Sequence, residues 1–171
     1  MQKINEKTAL RTHYCGSMTK EVVGKTVILC GWVHRRRDLG GLIFVDLRDR
    51  EGLVQIVFHP EDQALFREAE KLRSEFVLSV EGKIVVRPAG TVNDKLHTGE
   101  VEVDVEKLQI LNTSIGLPFT INEEGFVGEE TRLKYRYLDL RRPKMFNNLY
   151  LRSQVAAAMR EFLMNEGFIE V

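Results

Sequence analysis

The sequence predicts a mainly β fold with flanking helices, and its residue pattern supports this in three ways. From Thr26 onward, short runs of aliphatic and β-branched residues recur with a period near two, which is the period of strands. Five such runs follow one another, and Pro60-Glu61-Asp62 begins an amphipathic helix over about 61–74 between the third run and the fourth. Five strands with a helix in that place are typical of the OB-fold, a small Greek-key barrel.

Turn-forming residues separate the predicted strands. Asp38-Leu39-Gly40-Gly41 and Asp49-Arg50-Glu51-Gly52 join the first three strands, and the polar loop 88–99 joins the fourth to the fifth. We therefore expect strands at Thr26–Arg37, Leu42–Arg48, Leu53–Phe58, Phe76–Arg87 and Glu100–Leu111.

The alternation stops near Asn112, and a helical pattern replaces it. Residues 129–142 look helical, Pro143 interrupts them, and a longer helix over about 144–166 ends at Gly167, after which 168–171 look like the entry to a new strand. The side chains expected to face inward from the long helix are Leu149, Ala156, Met159, Phe162 and Leu163. The predicted organisation is an OB-fold domain at 1–111, a helical hinge at 112–143 and the truncated start of another domain at 144–171.

Composition excludes several classes of protein. The 25 basic residues balance the 25 acidic ones, so a polybasic or acidic tail is not the main feature. No apolar run is long enough for a membrane span, and Met1–Arg11 lacks the apolar centre of a signal peptide, so we expect a cytoplasmic protein with no membrane partner. Neither Cys15 nor Cys30 has metal-ligand spacing, and no carboxylate pair or Ser/His/Asp set is visible. The sequence therefore predicts no metal site and no catalytic site within the chain.

One face of the predicted barrel has the chemistry of a platform for single-stranded nucleic acid. Strand alternation places Phe44, Gln55 and Glu102 outside. An aromatic ring stacks on any base, Gln55 carries a donor and an acceptor for reading a base edge, and Glu102 can accept from an amino group such as that of cytosine. The run Arg35-Arg36-Arg37 would hold phosphates, but first strands of such barrels often bend sharply, so alternation beyond Gly31-Trp32 does not fix which of these arginines faces outward.

A plainer explanation exists for each of these residues. Phe44 can fill a gap beneath a loop, Gln55 can be a solvated strand residue, and arginines at a strand end can deter edge pairing. Their occurrence together on one face favours recognition. A second basic group is equally compatible with a solvated helix face and with a nucleic-acid backbone contact: Arg132, Lys134, Arg136, Arg141, Arg142, Lys144 and Arg152, with Asp139 as the acidic residue among them.

Four longer segments resemble a known family. They are 11–16 (RTHYCG), 31–41 (GWVHRRRDLGG), 43–50 (IFVDLRDR) and 133–143 (LKYRYLDLRRP). Together they closely resemble the N-terminal part of bacterial-type aspartyl-tRNA synthetase, a class II enzyme, and the resemblance extends over nearly all of the chain from about residue 10. Lysyl- and asparaginyl-tRNA synthetases share the barrel, but the RRRDLGG run and the LRRP ending are more similar to the aspartyl enzyme.

The resemblance implies that the barrel binds the anticodon stem-loop of aspartate tRNA. Carried over position by position, it implies that Phe44 stacks on the middle anticodon base and that Gln55 reads this base. The residues implied to contact the flanking anticodon bases or their backbone are Arg37, Arg87, Asn93 and Glu102. Arg35 joins this candidate set from the basic run.

The resemblance also implies a larger parent enzyme. The last helix with 167–171 resembles the first half of motif 1, which builds the dimer interface in the family, whereas the ATP-binding arginines and the aspartate pocket would lie beyond Val171. We therefore expect a non-catalytic fragment without a cofactor, taken from an aspartate–tRNA ligase whose homodimeric parent uses ATP and Mg²⁺. Within the family, Leu39 favours the type that charges aspartate tRNA alone. The alternative is a free-standing OB-fold module that binds single-stranded nucleic acid.

Overall fold

The N-terminal unit is built around a closed barrel of five strands. The computed structural model describes residues 10–121 and 125–171, which fall into two units that divide between Gly116 and Leu117. The strands are β1 (Thr26–Leu39), β2 (Leu42–Arg48), β3 (Leu53–Phe58), β4 (Val77–Val86) and β5 (Val101–Asn112). They pair in the order β1-β2-β3-β5-β4, and β4 closes the barrel on β1, while β3 and β5 form a parallel pair. The predicted five-stranded barrel is confirmed.

Helix α1 (Gln63–Glu70) lies between β3 and β4 in the chain, where the sequence predicts it, and is shorter than predicted at both ends. Its first turn is capped by Asp62, whose carboxylate accepts from the Leu65 N–H at 3.0 Å. Ala69 and Leu72 are fully buried in the core of the barrel. Two short 3-10 turns precede β1, at Cys15–Ser17 and Lys20–Val22.

Alternation along the strands separates a buried inner face from an outer face, as the sequence indicates. The buried inner residues of β2 and β3 are Ile43, Val45, Leu47, Val54, Ile56 and Phe58. Phe44, between two of them, stays partly exposed. The same alternation predicts an inward Val86, but this side chain is 52% exposed because it belongs to the last residue of β4, where the barrel wall ends.

A β-bulge interrupts the pairing of β1 with β2. The next aligned residue after Val33 is Arg35, which lies opposite Asp46, so His34 is the extra residue in β1. Side chains of directly opposed residues share one face of a sheet, and successive residues alternate. Arg35 and Arg37 therefore lie on the outer face, on the same side as Asp46.

Three helices form the second unit: α2 (Glu129–Lys134), α3 (Arg136–Asp139) and α4 (Pro143–Asn165). The single helix predicted over 129–142 is thus divided at Tyr135. Pro143 begins α4 instead of interrupting a helix, because proline has no N–H to leave unpaired in a first turn. Within residues 10–121 and 125–171, none of the helices has the length and apolar character needed to cross a membrane.

The end of α4 differs from its prediction in two respects. Gly167 stops the helix as predicted, with a φ of 87° and with the Phe168 N–H donating to the Leu163 carbonyl at 3.0 Å. Residues 168–171, however, form no strand. The apolar side chains expected inward are not buried either: Met159 is 60% and Phe162 64% exposed, and no residue of α4 is buried.

Candidate nucleic-acid interface

Outward side chains from four strands meet in one hydrogen-bonded row across the outer face of the barrel. We call this set, Arg37, Asp46, Gln55 and Glu102, the polar row. Arg37 Nη2 donates to Asp46 Oδ1 at 2.6 Å and to Gln55 Oε1 at 3.1 Å. Gln55 Nε2 in turn donates to Glu102 Oε2 at 2.7 Å. The register supports this geometry, because Asp46 lies directly opposite Gln55.

The two neighbours of Gln55 fix the direction of its amide. Arginine has only donors, so the amide oxygen must face Arg37. An ionised carboxylate has only acceptors, so the amide nitrogen must face Glu102. One N–H and one lone pair of Gln55 remain for a ligand, in a fixed order along the sheet face.

Two members of the polar row, Gln55 and Glu102, are outward in register but nearly covered, and so is the neighbouring side chain of Arg87. Gln55 is 6%, Arg87 6% and Glu102 7% exposed. Arg87 folds against the β4–β5 loop: its Nε donates to the Val101 carbonyl at 3.0 Å, while its buried Nη2 has no hydrogen-bond partner among the described residues. Strand alternation alone predicts that these outward side chains are solvated, because it takes no account of polar side chains that cover one another.

Burial shifts the pKa values of Glu102 and Arg87 in opposite directions. Removal from water raises the pKa of Glu102, against the hydrogen bond from Gln55 and the charge of Arg87, which lower it. Removal from water likewise lowers the pKa of Arg87, against the charge of Glu102. The two charged groups therefore compensate each other electrostatically at neutral pH.

Phe44 stands next to the polar row on the same face. It lies opposite Arg37 on β1 and opposite Val57 on β3, two residues before Asp46 along β2. Its side chain is partly exposed. A ring for stacking beside side chains with fixed donors and acceptors is the combination that reads unstacked bases.

The remaining two predicted residues have different surroundings. Arg35 is exposed on the outer face, opposite Asp46. Asn93 lies in the β4–β5 loop, where its side-chain oxygen accepts from the Lys95 N–H at 3.1 Å and its own N–H donates to the Gly99 carbonyl at 3.0 Å. The hydrogen bonds of Asn93 thus organise the loop and do not join the polar row.

Asp46 is the member of the polar row that sequence reasoning did not select. Its signal was its outward position beside Phe44, but a single acidic residue on a strand has many explanations. The structure places Asp46 opposite Arg35 and Gln55, and its ion pair with Arg37 shows that it belongs to the polar row. Among the described residues, no cluster of His, Cys, Asp or Glu has the arrangement of a metal site.

Two family models match the chain. One, described as an OB-fold nucleic acid binding domain, matches residues 27–111. The other, described as tRNA synthetases class II (D, K and N), matches residues 128–171. The two matches follow each other in the order that the resemblance of the four sequence segments implies.

Similar proteins agree with these matches. An aspartate–tRNA(Asp/Asn) ligase of Geobacillus sp. (strain WCH70) is 55% identical over 162 residues, covering 94% of this chain and 27% of that protein. Another from Methylacidiphilum infernorum (isolate V4) is 52% identical over 170 residues, covering 99% of this chain and 28% of that protein. Nearly all of the chain is thus similar to aspartate–tRNA ligases. The crystal structure of asparaginyl-tRNA synthetase from Pyrococcus horikoshii is also similar, with 32% identity and a TM-score of 0.76 over 92% of this chain and 36% of that one.

These similarities confirm the resemblance that the four segments predict. The chain spans 27–28% of the length of the curated relatives that it matches. It corresponds to their N-terminal part, and the matched OB-fold model covers the strands that carry the polar row.

In the second unit of the chain, one buried carboxylate lies within ion-pair distance of three of the basic residues. Asp139 lies 2.9 Å from Arg132 Nε, 2.6 Å from Arg136 Nη1 and 3.6 Å from Arg142 Nη1. The hydrogen bond from Arg132, together with the three positive charges, lowers the pKa of Asp139. Three of the seven basic residues near the predicted hinge therefore pair with one carboxylate, and this ion-pair cluster joins α2 to α3.

Proposed function

We propose that the outer face of the barrel binds the anticodon loop of aspartate tRNA, and that this chain is the N-terminal part of an aspartate–tRNA ligase. The observation that carries the proposal is the partly exposed ring of Phe44 beside the fixed amide of Gln55. The match to an OB-fold nucleic acid binding model and the ligases among the relatives support it. A closed barrel also presents these side chains on a rigid surface.

Each candidate residue has a role that its chemistry allows. Phe44 stacks on the middle anticodon base, and Gln55 reads the edge of that base. Glu102 accepts from an exocyclic amino group of a neighbouring base, such as that of cytosine. The cations and the loop amide contact the flanking nucleotides or their phosphates: Arg35, Arg37, Arg87 and Asn93.

The domain division and the activity of the whole enzyme belong to the same proposal. Residues 1–111 form the anticodon-binding domain, 112–143 the hinge and 144–171 the start of a class II catalytic domain. The whole enzyme uses ATP and Mg²⁺ to convert aspartate to aspartyl-adenylate and then esterifies the 3′ end of the tRNA, as a homodimer in the cytoplasm. The class II model over 128–171 and the solvent-accessible apolar side chains of α4 support this division.

A competition titration with the 171-residue chain tests the proposal. We expect the aspartate anticodon stem-loop to bind with salt-sensitive affinity and to outcompete the lysine stem-loop. Gln55→Ala should reduce this preference, because it removes the donor and the acceptor that read the base edge. Equal affinity for both stem-loops would instead favour the free-standing module that binds single strands without selecting an anticodon.

The asparagine stem-loop decides a further point in the same titration. The names of the relatives include both aspartate and asparagine tRNA, whereas Leu39 favours the aspartate-only type. We expect the two stem-loops to differ in affinity if selection occurs on this face. Comparable binding of both would place this chain with the broader type.

Acidification is expected to weaken binding at a higher pH than an ordinary glutamate would allow. Burial raises the pKa of Glu102. Only the ionised carboxylate can accept from a base amino group through either oxygen, because the protonated form carries a hydrogen on one of them. The affinity should therefore be highest at a pH well above the usual glutamate pKa of about 4.3. It should decline as the pH falls through the raised pKa of Glu102. Stem-loop titrations across this range measure the effect, with Glu102→Gln as the control. The variant should bind more weakly and independently of pH, and parallel profiles for both proteins would contradict the assignment.

A further inference from the structure

Three side chains and one strained backbone position converge on the bulge in β1. We call His34, Arg48 and Glu75 the bulge clamp. Both oxygens of Glu75 accept from Arg48 Nη2, at 2.8 and 2.7 Å, and Arg48 Nη1 lies 3.0 Å from His34 Nδ1. Because arginine only donates, the His34 nitrogen accepts, and the charge of Arg48 adds to burial in lowering the pKa of His34. The bulged residue is thus tied, through Arg48, to Glu75.

Glu75 also forms a backbone hydrogen bond next to the bulge. Its N–H donates to the Val33 carbonyl at 2.7 Å, and the Val33 N–H donates to the Phe76 carbonyl at 2.9 Å. These bonds lie where β1 leaves β4, since the aligned pairs of those two strands end at Trp32 and Val77. Both backbone groups of Val33 are therefore fixed to the segment before β4.

The backbone of Glu75 is strained, which makes its position informative. Its φ of 65° lies in the left-handed region, and among the described residues it is the one non-glycine residue there. A residue in that region persists when its surroundings hold it. Here the buried carboxylate and the N–H bond to Val33 both hold it.

The bulge decides which arginines reach the binding face. Val33 is buried and inward, so uninterrupted alternation would turn Arg35 and Arg37 inward as well and leave Arg36 outside. A slip of one residue in a strand exchanges its faces. With His34 as the extra residue, the pair of arginines is outward and Arg37 reaches Gln55.

We propose that Glu75 is a positioning residue for RNA binding, which holds the β1 bulge through Arg48 and Val33 and so keeps Arg35 and Arg37 on the binding face. This inference rests on the proposed anticodon recognition. Glu75 itself lies outside the polar row and acts only through the register of β1.

The Glu75→Gly variant removes the carboxylate of the bulge clamp without adding backbone strain. Glycine adopts a φ of 65° without steric penalty and keeps the N–H, so this variant loses the carboxylate but gains backbone tolerance. We expect a folded barrel with weaker stem-loop binding. The slope of log affinity against log salt should fall by about 0.7 for each phosphate of a single-stranded ligand that an arginine no longer neutralises. Arg48→Lys, which keeps the charge but cannot span Glu75 and His34 as a fork, should act in the same direction.

Glu81→Gln is the matched control, because it removes the negative charge from a comparable contact of one cation with both carboxylate oxygens, made by Lys107 Nζ at 3.0 and 3.1 Å, elsewhere on the barrel. Its salt slope should equal that of the wild type. Cross-strand nuclear Overhauser effects between Arg37 and Phe44 give the register of β1 directly and should be absent from the spectra of the clamp variants.

The outcomes separate the two proposals. A wild-type chain that does not prefer the aspartate stem-loop overturns the proposed function, while the Arg37–Phe44 Overhauser effects still decide whether the clamp sets the register. A wild-type chain that does prefer it, with clamp variants that retain the full salt slope or the Arg37–Phe44 Overhauser effects, overturns the inference. If Glu75→Gly does not fold, Arg48→Lys carries the same measurements.

Discussion

Replacing Phe44 with alanine is expected to weaken binding of the aspartate anticodon stem-loop by about 1–3 kcal/mol, or roughly 5- to 150-fold. The reason is the loss of the ring on which a base stacks, next to the side chains that read its edge. The substitution leaves the buried inner face intact, since Phe44 lies on the outer face of β2. Fluorescence anisotropy of a labelled stem-loop measures the change.

Phe44→Tyr is the control for this experiment. Tyrosine keeps an aromatic face of similar size, so its affinity should stay close to that of the wild type. Thermal unfolding of both variants shows whether the barrel is affected. Wild-type affinity in a folded Phe44→Ala protein would mean that the ring has only a packing role.

The second large effect is expected from Gly31→Ala, which should destabilise the barrel by about 3 kcal/mol, at the upper end for overpacking. A Cβ at this position would lie 2.5 Å from the Arg48 carbonyl oxygen and 3.0 Å from Leu47 Cγ. The contact with the backbone of β2 cannot be relieved by a side-chain rotation. Since β1 pairs with both β4 and β2 in this region, any shift would disturb both pairings.

Urea unfolding monitored by fluorescence of Trp32, the single tryptophan, measures this effect in the barrel unit. Gly116→Ala is the matched control, because nothing lies within 4 Å of a Cβ built there. Its midpoint should not change. Equal midpoints for the two variants would show that β1 can move away from β2 more easily than the structure indicates.

Much of the barrel was predictable because strand periodicity is a local property. The inner positions of β2 and β3 follow from alternation alone, and the turn residues between strands limit where each strand can end. The outward position of Phe44 follows from the same rule. A few consecutive residues of a strand are therefore enough to predict which side chains face outward.

What could not be predicted depends on residues far apart in the chain. The bulged residue His34 contacts Arg48, and Arg48 pairs with Glu75, which lies 27 positions further along the chain. The burial of Gln55 rests in part on Glu102, 47 positions away. Such contacts produce no local periodicity in the sequence. The sequence alone therefore did not decide on which face of β1 Arg35 and Arg37 lie.

The second unit shows a different limit. Periodicity in α4 identifies which side chains are apolar, but burial also requires a second surface, and no residue of α4 is buried. The predicted helix is also divided at Tyr135, and Arg132 and Arg136 on either side of the break both pair with Asp139, an interaction that helical propensity does not include.

The arrangement of the polar row has a consequence for errors in recognition. A base with the wrong order of donor and acceptor could be accommodated only if the Gln55 amide turned over. That turn would face the amide nitrogen toward the Arg37 guanidinium and the amide oxygen toward the Glu102 carboxylate, breaking two internal hydrogen bonds. Each buried polar group left unsatisfied costs about 1–3 kcal/mol. In the proposed recognition, a mismatched base would therefore cost the protein its own hydrogen bonds, and this cost would count against the base even where it makes no steric clash with the barrel.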